Sequence, residues 1–204
     1  MTPAVRPETR VRTEPLAALK QVSRDLSASN YKVVYEIHGS DRDTGALDGT
    51  LTLATKQPKQ LFGISGKLGN DSGTFLVIND GANAFLCIEG RGDKACLKTH
   101  SVADAPIPLP SVLNIDDVLQ DIASQPGVQV REVAGQQIAG HDGRCFEVEA
   151  NAGHGTICVD EQDGVVLLVD GDFQGSAFSM RLSEYEPDPE DSLFLPPYTV
   201  TELP

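Results

Sequence analysis

Apolar and polar residues alternate with a period of two along most of this chain. Between Asn30 and Gly39, Tyr31, Val33, Tyr35 and Ile37 fall on one side, while Lys32, Glu36 and His38 fall mostly on the other. That is the pattern of a half-buried strand. Further strands are predicted at Gly49–Thr55, Gln60–Ser65, Gly73–Ile78 and Ala84–Glu89. Asp41 to Asp48 reads as a polar turn, and Asn79, Asp80 and Gly81 supply turn chemistry. A second run of strands is predicted at Val128–Val133, Arg144–Ala150, Thr156–Asp160, Val165–Asp170 and Gln174–Tyr185. In the last of these, Phe178, Met180 and Leu182 share a face against Ser179, Arg181 and Ser183. Strands that follow one another without helices between them pair as an antiparallel meander.

Two segments carry helical spacing instead. Pro15–Leu26, with Thr13 as a cap, aligns Leu16, Leu19, Val22 and Leu26. After Pro106, Pro108 and Pro110, Ser111 caps a helix over Val112–Ala123 with Val112, Ile115, Leu119 and Ile122 on one stripe, ended by Pro126 and Gly127. The expected fold is α+β: one strongly curved antiparallel sheet of about ten strands, a half-open β-barrel with helices covering its concave side. Residues 1–14 read as a disordered linker left when a leader is removed, and 15–204 as one domain. The acidic, proline-rich end, Glu186 to Pro204, should lie along the sheet without pairing centrally.

Cysteine spacing adds register. Pairing Cys145 with Cys158 leaves Asn151 and Ala152 as a two-residue loop closed by Ala150 and Gly153, with the cysteines at a non-hydrogen-bonded position. Cys87 and Cys96 repeat the device around Arg91 and Gly92, although arginine suits a primed turn poorly. Alternation puts Cys145, Glu147 and Glu149 on one face and Phe146, Val148, Ile157 and Val159 on the other, so the staple is expected outside. Two local disulfides imply an oxidising compartment and an exported protein.

Composition narrows the chemistry. A net charge of −14 opposes contact with nucleic acid and anionic lipid surfaces. No apolar run is long enough to span a bilayer as a helix. His141 and His154 each precede a cysteine by four residues, which offers two imidazoles and two thiolates for zinc. Four strand residues span about 13 Å, so one metal gathers that set only if the hairpin breaks; the disulfides are preferred and no metal or cofactor is expected. Nucleophilic catalysis lacks a GxSxG, and only His38, His100, His141 and His154 could act as bases. Acidic pairs such as Asp116 with Asp117, or Glu147 with Glu149, read as solvated faces. Arg91-Gly92-Asp93 matches an integrin-binding tripeptide, but a hairpin tip needs its glycine regardless. Asp41, Asp43 and Asp48, and Asp188, Glu190 and Asp191, lack EF-hand spacing and read as surface turns.

An early helix, a meander, a proline-rich crossing with a helix, more strands, and an ending Tyr185-Glu-Pro-Asp followed by Phe194-Leu-Pro-Pro together resemble the half-barrel lipoprotein carriers. These comprise the lipoprotein chaperones LolA and LolB, the sigma-factor regulator RseB and the mycobacterial glycolipid-carrying lipoproteins. The resemblance spans Leu16 to Pro204, while the two cysteine pairs and the acidity depart from the best-known chaperones. It implies an exported, periplasmic or cell-surface, lipid-anchored carrier that shields the acyl chains of a lipid or lipoprotein, works as a monomer and catalyses nothing. The lining expected for such a concavity is Tyr31, Val33, Tyr35, Ile37, Leu51, Leu53, Phe62, Phe75, Val77, Phe178, Met180 and Leu182. The same alternation fits a packed core, which makes a sensor or protein-interaction module on this fold the alternative.

Overall fold

The computed structural model describes residues 30–41, 45–68, 71–99, 127–151, 153–173 and 175–202. Twelve strands form one sheet. The first six are β1 (Tyr31–Asp41), β2 (Gly45–Lys56), β3 (Lys59–Leu68), β4 (Asp71–Asn79), β5 (Ala84–Gly90) and β6 (Asp93–Thr99). The rest are β7 (Gln129–Ile138), β8 (His141–Ala150), β9 (Gly153–Asp160), β10 (Val166–Phe173), β11 (Ser176–Pro187) and β12 (Val200–Glu202). Their order is β12-β6-β5-β4-β3-β2-β1-β11-β10-β9-β8-β7. All pairings are antiparallel except β12 with β6, which is parallel. Two meanders, β1–β6 and β7–β11, meet at one seam where β1 pairs with β11.

All ten predicted strands are present, and the structure adds β6 and β12. The turn expected over Asp41 to Asp48 is shorter, because β1 runs to Asp41 and β2 begins at Gly45. Both expected helices, the proline-rich crossing and the linker at 1–14 lie outside the described residues; within them the helical element is a short 3-10 turn, Asp191–Phe194.

Both disulfides form, Cys87–Cys96 and Cys145–Cys158, each with a Cα separation of 4.0 Å. The counted registers hold: Ala150 faces Gly153 and Gly90 faces Asp93. Arg91 takes the tight turn with a positive φ of 51°.

The expectation that the Cys145–Cys158 staple lies outside is overturned. Both cysteines are fully buried and belong to the main core with Val33, Tyr35, Ile37, Leu167 and Leu182. Phe146, Val148, Ile157 and Val159 form a separate cluster with Val128 and Val130. Beyond the cystine the β9–β10 register shifts at a β-bulge between Val166 and Leu168, and the extra residue, Leu167, is fully buried in the same cluster as the cystine. Leu167 then lies beside the cystine: a Cβ on Gly143 would sit 2.7 Å from its Cδ1 and 3.7 Å from the Cys158 Cβ. Glu147 and Glu149 reach water because they lie toward the loop end of the hairpin, where Glu147 pairs with Arg131. One face of one hairpin is thus core at its cystine end and surface at its tip.

The Cys87–Cys96 staple is buried on the side of the sheet away from Leu86 and Ile88. Ala54, Leu61, Ile78, Phe85 and Phe194 surround it. Phe194 comes from the C-terminal segment, whose first residues, Glu186 and Pro187, still pair with β1 at the centre of the sheet, against expectation, and which beyond them pairs through β12 at the edge. Lys56 Nζ donates to the Pro189 carbonyl at 2.9 Å and contacts Asp188 at 3.1 Å, and Lys59 reaches Asp191 at 3.2 Å. β12 then caps β6, with the Cys96 N–H donating to the Thr199 carbonyl at 3.0 Å.

Candidate ligand-binding face

Register brings the twelve expected lining residues to one face. Val33 faces Leu53, Leu53 faces Phe62, Phe62 faces Val77 and Val77 faces Leu86. A second row runs beside it: Leu182, Tyr35, Leu51, Ile64, Phe75 and Ile88. Met180 sits opposite Ile37, and Phe178 opposite Gly39. The second row crosses the seam through the Tyr35–Leu182 pair, beside a β-bulge between Val34 and Tyr35, so this face runs from β11 to β5.

Exposure changes along the rows. Val33, Tyr35, Ile37 and Leu182 are at most 5% exposed, and Phe62 and Val77 at most 7%. Tyr31, Leu51, Leu53, Phe75 and Met180 are partly buried and pack against these residues. Leu51 and Leu53 touch both the seam core and the cluster of Phe62, Val77 and Leu86. Phe62 meets Phe75 edge-on at 6.5 Å between ring centres. At the rim the apolar side chains open to solvent: Ile64 at 37%, Ile88 at 52% and Phe178 at 37%. Burial raises the Tyr35 phenol far above its ordinary pKa, with the neighbouring Tyr31 adding to the effect, and burial raises Tyr31 as well.

Ile64, Leu86 and Ile88 were not among the expected lining. The signal was available, since each lies two residues from another apolar position on its strand, but it depends on carrying register across three hairpins.

Next along the same face comes a row of glycines. Ile37 faces Gly49, which faces Gly66, which faces Gly73, which faces Gly90. A Cβ on Gly49 would meet the Ser65 carbonyl oxygen at 2.3 Å, and one on Gly66 the Asp48 carbonyl oxygen at 2.4 Å. Neighbouring backbones approach here more closely than any side chain allows, which is how a sheet creases at a barrel corner.

A polar centre lies near the far end of the seam. Asp160 is 3% exposed. One carboxylate oxygen accepts from the backbone N–H groups of Gln162 at 2.6 Å and Asp163 at 2.8 Å, and the other lies 2.8 Å from His141 Nδ1. The His141 ring meets Tyr185 edge-on at 5.2 Å, and burial, then the charges of Asp163 and Asp160, raise the Tyr185 phenol. His141, Asp160 and Asp163 converge within 4.8 Å, a grouping that spacing alone did not reveal. The zinc set considered from the sequence is excluded, because Cys145 and Cys158 are joined and have no thiolates to offer.

No family model and no curated protein matches this chain. Among solved structures, MucB superposes with a TM-score of 0.56 at 11% identity over 89% of this chain, and the Pseudomonas aeruginosa MucA/MucB complex with 0.54 at 11% over 90%. The chain spans 62% and 61% of the lengths of those two. The Mycobacterium tuberculosis lipoprotein LppX superposes with a TM-score of 0.52 at 12% identity, over 86% of this chain and 96% of LppX. The single unclosed curved sheet of this chain is therefore the same fold as that of MucB and LppX.

Proposed function

We propose that this protein is a non-catalytic carrier that holds the acyl chains of a lipid or lipoprotein against the face formed by β11 and β1–β5, in an oxidising, exported setting. The observation that carries this reading is the change in burial along continuous apolar rows. Residues that are core at the seam give way, on the same face, to Ile64, Ile88 and Phe178 open at the rim. A methylene buried there contributes about 0.8 kcal/mol, so a long chain laid along the rows is held without any polar contact. The likeness to LppX, itself a lipoprotein, and the two disulfides support the same reading.

Organic extraction of the purified protein should return acyl-chain species, and a fluorescent fatty-acyl probe should bind saturably. Ile88→Glu alters an exposed position and should weaken the probe roughly tenfold without unfolding the chain. No extracted lipid together with no saturable binding overturns the proposal. The burial of Val33, Tyr35 and Ile37 favours the second reading, a packed interaction module, which that negative result would support.

A further inference from the structure

The polar ends of β3–β6 carry a feature that an acyl chain does not require. On the opposite side of the sheet from Ile64, Phe75 and Ile88 lies a concavity of 440 Å³, whose lining includes Ser65, Lys67, Thr74, Glu89, Arg91 and Lys94. Its lining carries three cations against one carboxylate, in a chain whose net charge is −14. Asp93, the first residue of β6, is not part of the lining. Glu89 is engaged within the site: it binds Lys94 and accepts from the Tyr198 hydroxyl. Those two partners hold its carboxyl below its ordinary pKa. Ser65 and Thr74 place two hydroxyls 3.1 Å apart on the same wall.

Strand alternation ties this concavity to the apolar face. Ile64 precedes Ser65, Phe75 follows Thr74, and Ile88 precedes Glu89. Each of these three apolar side chains on one side has a polar lining residue as its neighbour on the other. The path between them runs over Gly90, which ends β5, has no side chain to bar it and also lines the concavity. On β5 two strand residues, about 7 Å, take the chain from Ile88 to the end of the strand at Gly90.

The geometry points to a head-group site: the cargo is a lipid whose polar end carries a phosphate-class anion, its chains on the apolar face and its head past Gly90 among Lys67, Arg91 and Lys94. This rests on the carrier reading and names the class of lipid. Ammonium and guanidinium donors with neighbouring hydroxyls suit phosphate oxygens.

The test compares two fluorescent probes with identical acyl chains, one ending in a phosphate monoester and one in a free hydroxyl, titrated against the full chain at low salt. The phosphate probe should bind about tenfold more tightly, and that preference should fall within about twofold in Lys67→Gln/Lys94→Gln while the neutral probe is unaffected. Lys98→Gln, on β6 but outside the concavity, should keep the preference. Equal binding of the two probes overturns the head-group site and leaves the carrier reading intact. Binding of neither probe overturns both. Inorganic phosphate should compete with the phosphate probe only; if it binds with no preference between the probes, the concavity takes free phosphate and the lipid assignment fails.

Discussion

At the scale of single residues, the glycines of the crease are not interchangeable. Gly66 faces the Asp48 carbonyl oxygen and the Gly49 Cα so closely that an added methyl, 2.4 and 2.6 Å from them, can only be accommodated by parting β2 from β3. Gly66→Ala should therefore cost about 1–3 kcal/mol or more in denaturant unfolding. Gly90→Ala, whose new Cβ meets its nearest neighbour at 3.7 Å, should stay within about 0.5 kcal/mol. Equal losses at the two sites would refute the account of the crease. Asp160 is a residue of another kind, a buried carboxylate with every oxygen engaged by the β9–β10 turn or by His141. Asp160→Ala leaves those donors unpaired and should cost about 2–3 kcal/mol by the same measurement. Neither role was legible in the sequence. A glycine's meaning in a strand depends on which backbone lies opposite it, and Asp160 reads locally as one more acidic residue before a turn.

At the scale of elements, the hairpins were the most legible part of the chain, because a cysteine pair and a two-residue loop together leave one register. Less legible was which side of each hairpin is core. The run Val165 to Val169 is apolar throughout, so it carries no alternation from which the bulge at Leu167 could be read, and it is Leu167 that covers the Cys145–Cys158 cystine. β12 was invisible for a related reason: three exposed residues paired in parallel at an edge have no periodic signal. The C-terminal segment is held by one deep apolar anchor and several exposed charges. Phe194 is fully buried, and Phe194→Ala should cost about 3–5 kcal/mol. The charges set a pH dependence. Lys59 and Lys56 hold the Asp191 carboxyl below its ordinary pKa, as Lys94 and Tyr198 do for Glu89. A lowered folded-state pKa means that the stabilisation is complete above the unfolded value and fades as pH falls through the folded one. Amide exchange in 188–202 should accordingly quicken below about pH 4 at constant salt, before the rest of the sheet opens. Unchanged relative protection down to pH 3 would show that Phe194 alone secures the segment.

At the scale of the whole molecule, the arrangement separates two kinds of core. The seam of β1 and β11 closes over buried side chains such as Val33, Tyr35, Ile37 and Leu182, while the β3–β5 half keeps an apolar face that ends in exposed side chains. The sequence alternation placed the expected lining on a single face but could not rank its members by exposure, since Val33 and Ile64 look alike until the strands around them are in place. Both staples lie within apolar clusters, so replacing either cysteine pair by alanine should cost about 2–4 kcal/mol through the unfolded chain. The lost packing adds to that. Removing Cys87–Cys96 should loosen the C-terminal segment first, since that cystine contacts Phe194's cluster; removing Cys145–Cys158 should loosen the seam. Exchange mapped by mass spectrometry distinguishes these patterns, and the same pattern from both would contradict the division of the core.

The seam also governs the order of events during synthesis. β1 and β11 join residues as far apart as Val34 and Ser183, 149 positions along the chain. Every other antiparallel pairing connects consecutive strands. A nascent chain can complete β1–β6 while its partner for β1 is still being translated, on the order of ten seconds at ordinary ribosome speeds. For that interval the polypeptide presents an unpaired eleven-residue edge bearing Tyr31, Val33, Tyr35 and Ile37, the kind of surface that other strands add to. A newly made copy is thus most vulnerable to aggregation at what becomes its best-protected line, and a holdase that binds extended apolar segments should recognise 31–41 in truncated chains ending before β11 and ignore it in the finished protein.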